Sequence, residues 1–188
     1  MSIYFTSDNH FFHSNILRYC NRPFRDSHHM NEVMIKNWCE KVNPGDTVYI
    51  LGDFAFAQPE EISRILDRLP GQKFLIYGNH DKTIKKNPSL REKFVKCVDY
   101  LEISVQDNSA SRGRQDITLC HYAHLVWNKS HHGSWMLHGH SHGSLTYPYN
   151  VKILDVGVDS HNFSPISYSE VKSIMSTKGS VVVDHHGT

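Results

Sequence analysis

Long hydrophobic runs are missing. Nowhere in the 188 residues do ~18 apolar residues follow one another, so no membrane-spanning helix is expected. The start, Met1-Ser2-Ile3-Tyr4-Phe5, has no basic segment ahead of an apolar stretch, which argues against a signal peptide or an anchor. Cysteine is scarce, and Cys20, Cys39, Cys97 and Cys120 form no C-x-x-C pair. A disulfide scaffold is thereby excluded, and the cysteines read as thiols of a soluble, cytoplasmic protein. An excess of one charge is also lacking: 20 Lys and Arg stand against 19 Asp and Glu, a formal net charge of +1. Nothing global draws such a chain to nucleic acid or to an anionic membrane, so a partner of that kind would have to be met locally. With no repeat, low-complexity linker or visible boundary, residues 1–188 read as one domain with a sizeable core.

Histidine is abundant, with 15 residues. Five of them fall in short polar clusters: Asp8-Asn9-His10, Gly52-Asp53, Gly78-Asn79-His80-Asp81, His121-Tyr122 and Gly139-His140-Ser141-His142. Each cluster follows an apolar, β-branched or aromatic run, and residues 3–7, 47–51, 73–77, 117–120, 135–137 and 151–158 read as strands. Between them, residues 30–42 and 59–69 are helical by pattern, closed by Asn43-Pro44-Gly45-Asp46 and by Pro70-Gly71. Ser167 and Glu170 have capping-box spacing ahead of a helix over 171–175. Residues 107–115 look like a hairpin loop or an exposed connection. Alternating strands and helices followed by a strand-rich half favour an α/β layer fold, in which ligands gather at the carboxyl ends of strands. That places the five clusters on one rim.

Asp8, His10, Asp53, Asn79, His121, His140 and His142 are then seven candidate metal ligands, enough for two ions. A mixed imidazole, carboxylate and amide set suits borderline divalent ions, Mn foremost, with Fe, Co, Ni or Zn as alternatives. Two such ions a few ångström apart can clamp a phosphoryl group. Asp53 is the natural bridge, because a carboxylate can offer one oxygen to each ion. A mononuclear structural zinc site is disfavoured, since such sites close with Cys and His.

The ordered series D-x-H, G-D, G-N-H-D, H and G-H-x-H resembles the calcineurin-like metallophosphoesterase superfamily, over about three quarters of the chain from Asp8 to His142. The run from Thr6 to Ile16, the stretch Asn21-Arg22-Pro23-Phe24, and Val156-Gly157-Val158-Asp159 with Pro165-Ile166-Ser167 look like a small subfamily of bacterial and phage phosphoesterases. The resemblance implies a four-layer α/β/β/α sandwich. It also implies one metal held by Asp8, His10, Asp53 and His142, and a second held by Asp53, Asn79, His121 and His140.

On that basis the expected activity is hydrolysis of a phosphomonoester or phosphodiester by a metal-bridging hydroxide. The substrate would be a phosphorylated small molecule or nucleotide, or a nucleic-acid end. The alternative is an inactive metal-binding interaction module of the same fold. His80, beside Asn79, is placed to protonate the leaving group, with Asp81 as the partner that orients it or else as a loop carboxylate. Arg22 is a candidate phosphate clamp or a surface residue packed on Phe24, and His13 touches substrate or is structural. The basic segment 82–96 is a local anion track or a solvated helix face, and Trp127 lines the pocket or the core. His131-His132 and His185-His186 read as exposed pairs without a metal role.

Overall fold

Parallel strands need crossover connections, and the first half of the chain supplies them as helices. In the computed structural model, which describes residues 1–110 and 112–180, that half runs β1 (Ile3–Thr6), α1 (Ile16–Tyr19), α2 (Ser27–Lys41), β2 (Thr47–Ile50), α3 (Pro59–Arg68), β3 (Gln72–Ile76), α4 (Lys82–Lys86), α5 (Pro88–Arg91) and β4 (Lys96–Val98). The second half adds β5 (Tyr100–Gln106), β6 (Arg114–Cys120), β7 (Trp135–His138), β8 (Ile153–Asp155), β9 (Ile166–Ser167) and α6 (Tyr168–Ser176). Ser111 of the expected loop and the His185-His186 pair lie outside the described residues.

The strands form two sheets, ordered β4-β3-β2-β1-β9 and β5-β6-β7-β8. Period-two side chains of β2 join the layers: Val48 and Ile50 face Met30, Met34, Trp38, Ile62 and Ile65 of α2 and α3. The next residue, Leu51, turns inward with Phe5 and Ile76 against Ile117, Leu119, Trp135 and Leu137 of the second sheet. Val171 and Met175 of α6 close that inter-sheet cluster. Burying each such aliphatic side chain contributes about 1.5–3 kcal/mol. A small third cluster, with Trp127, Met136 and Ile153, covers the far face of the second sheet, so Trp127 is a core residue. The protein is thus mixed α/β, with two sheets flanked by helices. No helix among the described residues is long and apolar enough to cross a membrane.

Register decides where the polar clusters emerge. Thr6 pairs with Ile50 and Ile50 with Leu75, so the segments carrying Asp8, Asp53 and Asn79 leave the sheet side by side. Leu119 pairs with Leu137 and His138 with Asp155, which aligns the exits toward His121, His140 and Asp159. A parallel bridge between Ser7 and Gly157 stitches the two rims together.

Several boundaries differ from the sequence pattern. α2 starts three residues early, because Asp26 accepts a 2.7 Å hydrogen bond from the His29 amide and caps it. The expected strand over 151–158 keeps only β8, since the chain bends at Gly157 into a 3-10 turn, Val158–Ser160. The capping box of α6 forms as expected, with Glu170 Oε2 accepting from the Ser167 amide at 2.7 Å.

Candidate metal centre

Five of the seven expected ligands sit in the left-handed region that non-glycine residues rarely adopt: Asp8 (φ 55°), His10 (φ 50°), Asp53 (φ 53°), His140 (φ 67°) and His142 (φ 48°). Such conformations cost on the order of 1–3 kcal/mol each and persist where neighbouring bonds over-determine them. Here the Asp8 amide donates to Gly52 O at 3.0 Å, the His10 amide to Asp53 O at 2.9 Å and the Phe11 amide to Phe54 O at 3.0 Å. Across the sheets, the His140 amide donates to both oxygens of Asp8, at 3.0 and 2.9 Å. The bends turn ligand-bearing side chains out of the ladder and toward one point.

Donor atoms of Asp8, His10 and His142 form one group and those of Asp53, His121 and His140 another, each within 4.8 Å. Asp53 joins them: its Oδ2 lies 3.5 Å from His10 Nε2 and 3.6 Å from His121 Nε2. Asn79 Oδ1 stands 3.1 Å from His121 Nε2. The structure therefore brings all seven expected ligands into one constellation.

The histidine tautomers follow from their outer contacts. His121 Nδ1 is 2.7 Å from the Leu51 carbonyl, which can only accept, so Nδ1 carries the proton and Nε2 offers its lone pair inward. His142 Nδ1 is 2.7 Å from Asp159 Oδ2, which leaves its Nε2 toward Asp8. Burial, reinforced by His142, pushes His10 down to about 2 and keeps it neutral, and burial lifts Asp8 to about 7. His10 Nε2 is buried without a hydrogen-bond partner. Asp53 Oδ2 thus faces both the unpartnered His10 Nε2 and the Nε2 lone pair of His121, a buried polar cluster that a cation between them would satisfy. The donor set fits divalent ions, with Asp53 between the two groups.

Two expected roles change. Arg22 is not available to clamp a phosphate: its side chain is wholly buried, and its guanidinium donates to Asp159 Oδ1 and Oδ2, Asp8 O and Asn9 O. Asp81 does not orient the His80 ring. It is buried, and its carboxylate accepts from the backbone amides of Asp53, Phe54 and Gly78 at 2.9, 2.9 and 2.8 Å, so the loop-carboxylate alternative holds. His80 is half-buried at the mouth, its amide donating to Asp53 Oδ1 at 2.8 Å and its ring 5.4 Å from that of His10. His13 stands beside it, Nδ1 3.3 Å from His10 Nδ1 and its ring stacked on Phe56 at 4.8 Å.

Three residues were not assigned roles from sequence. Asp159 holds both His142 and Arg22. Asp155 accepts from the amides of Gly143 and Gly157, both at 2.8 Å, and so fixes the loop that carries His140 and His142. Phe56 is exposed at the mouth. An Asp at the end of an apolar run was the available signal for the first two; nothing in the sequence singles out Phe56.

A two-sheet α/β fold with two ligand groups sharing one carboxylate at its rim has the build of a metallophosphoesterase. The chain belongs to the calcineurin-like phosphoesterase family, which matches residues 1–159. It is 33% identical over 187 residues to an uncharacterized protein of Methanocaldococcus jannaschii, covering 96% of this chain and 94% of that one. It is 28% identical over 189 residues to the gene 66 protein of Mycobacterium phage D29, covering 88% and 92%. Among solved structures, a protein of unknown function from Aquifex aeolicus superposes with a TM-score of 0.69 at 28% identity, covering 92% of this chain and 98% of that chain.

Proposed function

We propose that this protein is a binuclear, divalent-metal-dependent phosphoester hydrolase. The observation that carries the reading is Asp53 Oδ2 lying 3.5 and 3.6 Å from the Nε2 atoms of His10 and His121, one from each ligand group. Asp8, His10, Asp53 and His142 would hold one ion, and Asp53, Asn79, His121 and His140 the other. When bound, the ions supply Lewis acidity at the phosphoryl oxygens and a nucleophile near neutral pH.

The chain's own residues do the rest. Leu51 O and Asp159 fix His121 and His142 so that each keeps its Nε2 lone pair inward. The Asp53 carboxylate is aimed by the His80 amide, and the loop beneath it by Asp81. The His80 ring, at the open edge of the site, delivers a proton to the leaving oxygen. Substrates are phosphorylated small molecules or nucleotides, and the four free thiols agree with a cytoplasmic setting.

The test is hydrolysis of a panel of phosphate mono- and diesters by Mn-loaded protein, with metal content measured in parallel. Two ions per chain and turnover of at least one ester class are expected. One ion at saturation would overturn the binuclear site, and no turnover with two ions bound would favour an inactive metal-binding module.

A further inference from the structure

Two cavities border the ligand constellation. One, of about 600 Å³, is lined by Phe56, Gln58, Asn79, His80, Lys82 and Thr83. The other, of about 550 Å³, is lined by Tyr19, His140, Ser141, His142, Leu145 and Thr146. Each falls within the roughly 300–1,000 Å³ usual for small-ligand sites. A monoester places one organic group beside its phosphate and would use one cavity. A phosphorus flanked by two organic groups uses both.

The first cavity carries a further mark. Phe56 is 55% exposed, an apolar ring left in water at the mouth of the site. It is nonetheless held: its amide donates to Phe11 O at 2.8 Å, and its ring stacks on His13 at 4.8 Å and meets the edge of His80 at 5.8 Å. A fixed aromatic face beside exposed Lys82 suits a planar base attached to an anionic backbone, because every base offers a π face and its phosphates seek a cation.

We infer that the site takes a nucleoside phosphodiester, with the leaving nucleoside in the Phe56 cavity, its base stacked on Phe56, and the retained nucleoside in the Tyr19 cavity. The inference rests on the hydrolase reading above and specifies its substrate class. In the reaction, an oxygen from water bonds to phosphorus and the bond from phosphorus to the leaving nucleoside oxygen breaks. That oxygen takes a proton from the side where His80 stands, and the products are a nucleoside and a nucleoside monophosphate.

The experiment compares kcat/KM of Mn-loaded protein on dithymidylate and on two analogues that each lack one base, for the wild type, Phe56→Ala and Phe56→Trp. The wild type should prefer dithymidylate over the analogue lacking the leaving-side base by about tenfold. Phe56→Ala should abolish that preference and Phe56→Trp should keep it. Equal losses on all three substrates in Phe56→Ala would overturn the inference. A binding arm separates this from the hydrolase reading: calorimetry with thymidine, the nucleoside that leaves, and with deoxyribose, which lacks the base, needs no turnover. If no ester is hydrolysed, the hydrolase reading fails. The subsite still stands if thymidine binds tighter than deoxyribose and Phe56→Ala removes the difference, and it falls if the two bind alike.

Discussion

Arg22 and Asp159 meet in a two-point contact, Nε on Oδ1 and Nη2 on Oδ2, both at 2.8 Å, although 137 residues separate them. The same Asp159 Oδ2 accepts from His142 Nδ1, and the same Arg22 Nη2 donates to Asp8 O at 2.7 Å. Through this pair the loop after β1 and the turn after β8 hold Asp8 and His142, two candidate ligands of one group. Arg22→Ala should destabilise the fold by about 3–5 kcal/mol, since it leaves a buried carboxylate without its partner. Arg22→Lys should fall between, because an ammonium cannot reproduce the planar fork. Urea unfolding measures this, and wild-type midpoints for both variants would show that the pair does not anchor the rim.

Asp159→Ala should weaken binding of the ion held by Asp8, His10 and His142 by about 10–100-fold, the usual effect of removing the partner that orients a ligating histidine. Asp53→Asn should instead impair both ions together. Metal titrations followed by elemental analysis distinguish them. Equal metal content in wild type and Asp53→Asn would count against the shared carboxylate.

His80→Ala should keep its metals and lose about 10²–10⁴ in rate on alkyl phosphate esters, the range for a positioned general acid. With p-nitrophenolate, which departs without a proton, the loss should be smaller. The same loss on both leaving groups would make His80 a binding residue.

At Gly139 the two rims touch. A Cβ there would lie 2.5 Å from Asp8 Oδ2 and 2.6 Å from the Ser7 Cβ. Gly139→Ala should therefore destabilise by about 1–3 kcal/mol, as overpacking does, and displace the Asp8 carboxylate. Thermal unfolding together with a metal titration checks it; wild-type values of both would mean that the rim yields at no expense.

Asp107, just past β5, ties the hairpin to α6: Lys172 donates to Oδ1 at 2.8 Å and Tyr168 to Oδ2 at 2.7 Å. The Lys172 contact, followed by those of Tyr168 and Ser109, holds its carboxyl well below the usual carboxylate range. A depressed folded pKa stabilises above the unfolded value near about 3.9, and that contribution is lost as pH falls through the folded value. The stability gap between wild type and Asp107→Asn should thus be full at pH 7 and shrink steadily in acid. A gap independent of pH would show that the charge plays no part.

Much of this protein was legible in one dimension because strand ends and ligands are local signals. The runs before Asp8, Asp53, Asn79, His121 and His140 formed strands, and the ordered motifs named seven candidate ligands that the structure brings together. β5 could have been read as well: Leu101, Ile103 and Val105 alternate with Tyr100, Glu102, Ser104 and Gln106, and the alternating residues pack between the sheets. The fate of single charged groups could not be read, because it depends on what the fold brings within a few ångström. Arg22 followed by Pro23 looks like a surface clamp until Asp159 arrives from the far end of the chain. Asp81 beside His80 looks like its partner until two amides from the turn after β2 and one from its own turn claim the carboxylate. Sequence thus determined which atoms could bind metal, through residue type and spacing. Tertiary structure decided which polar groups face the site and which are consumed in holding it, because buried hydrogen-bond donors and acceptors must be paired and only packing decides with whom.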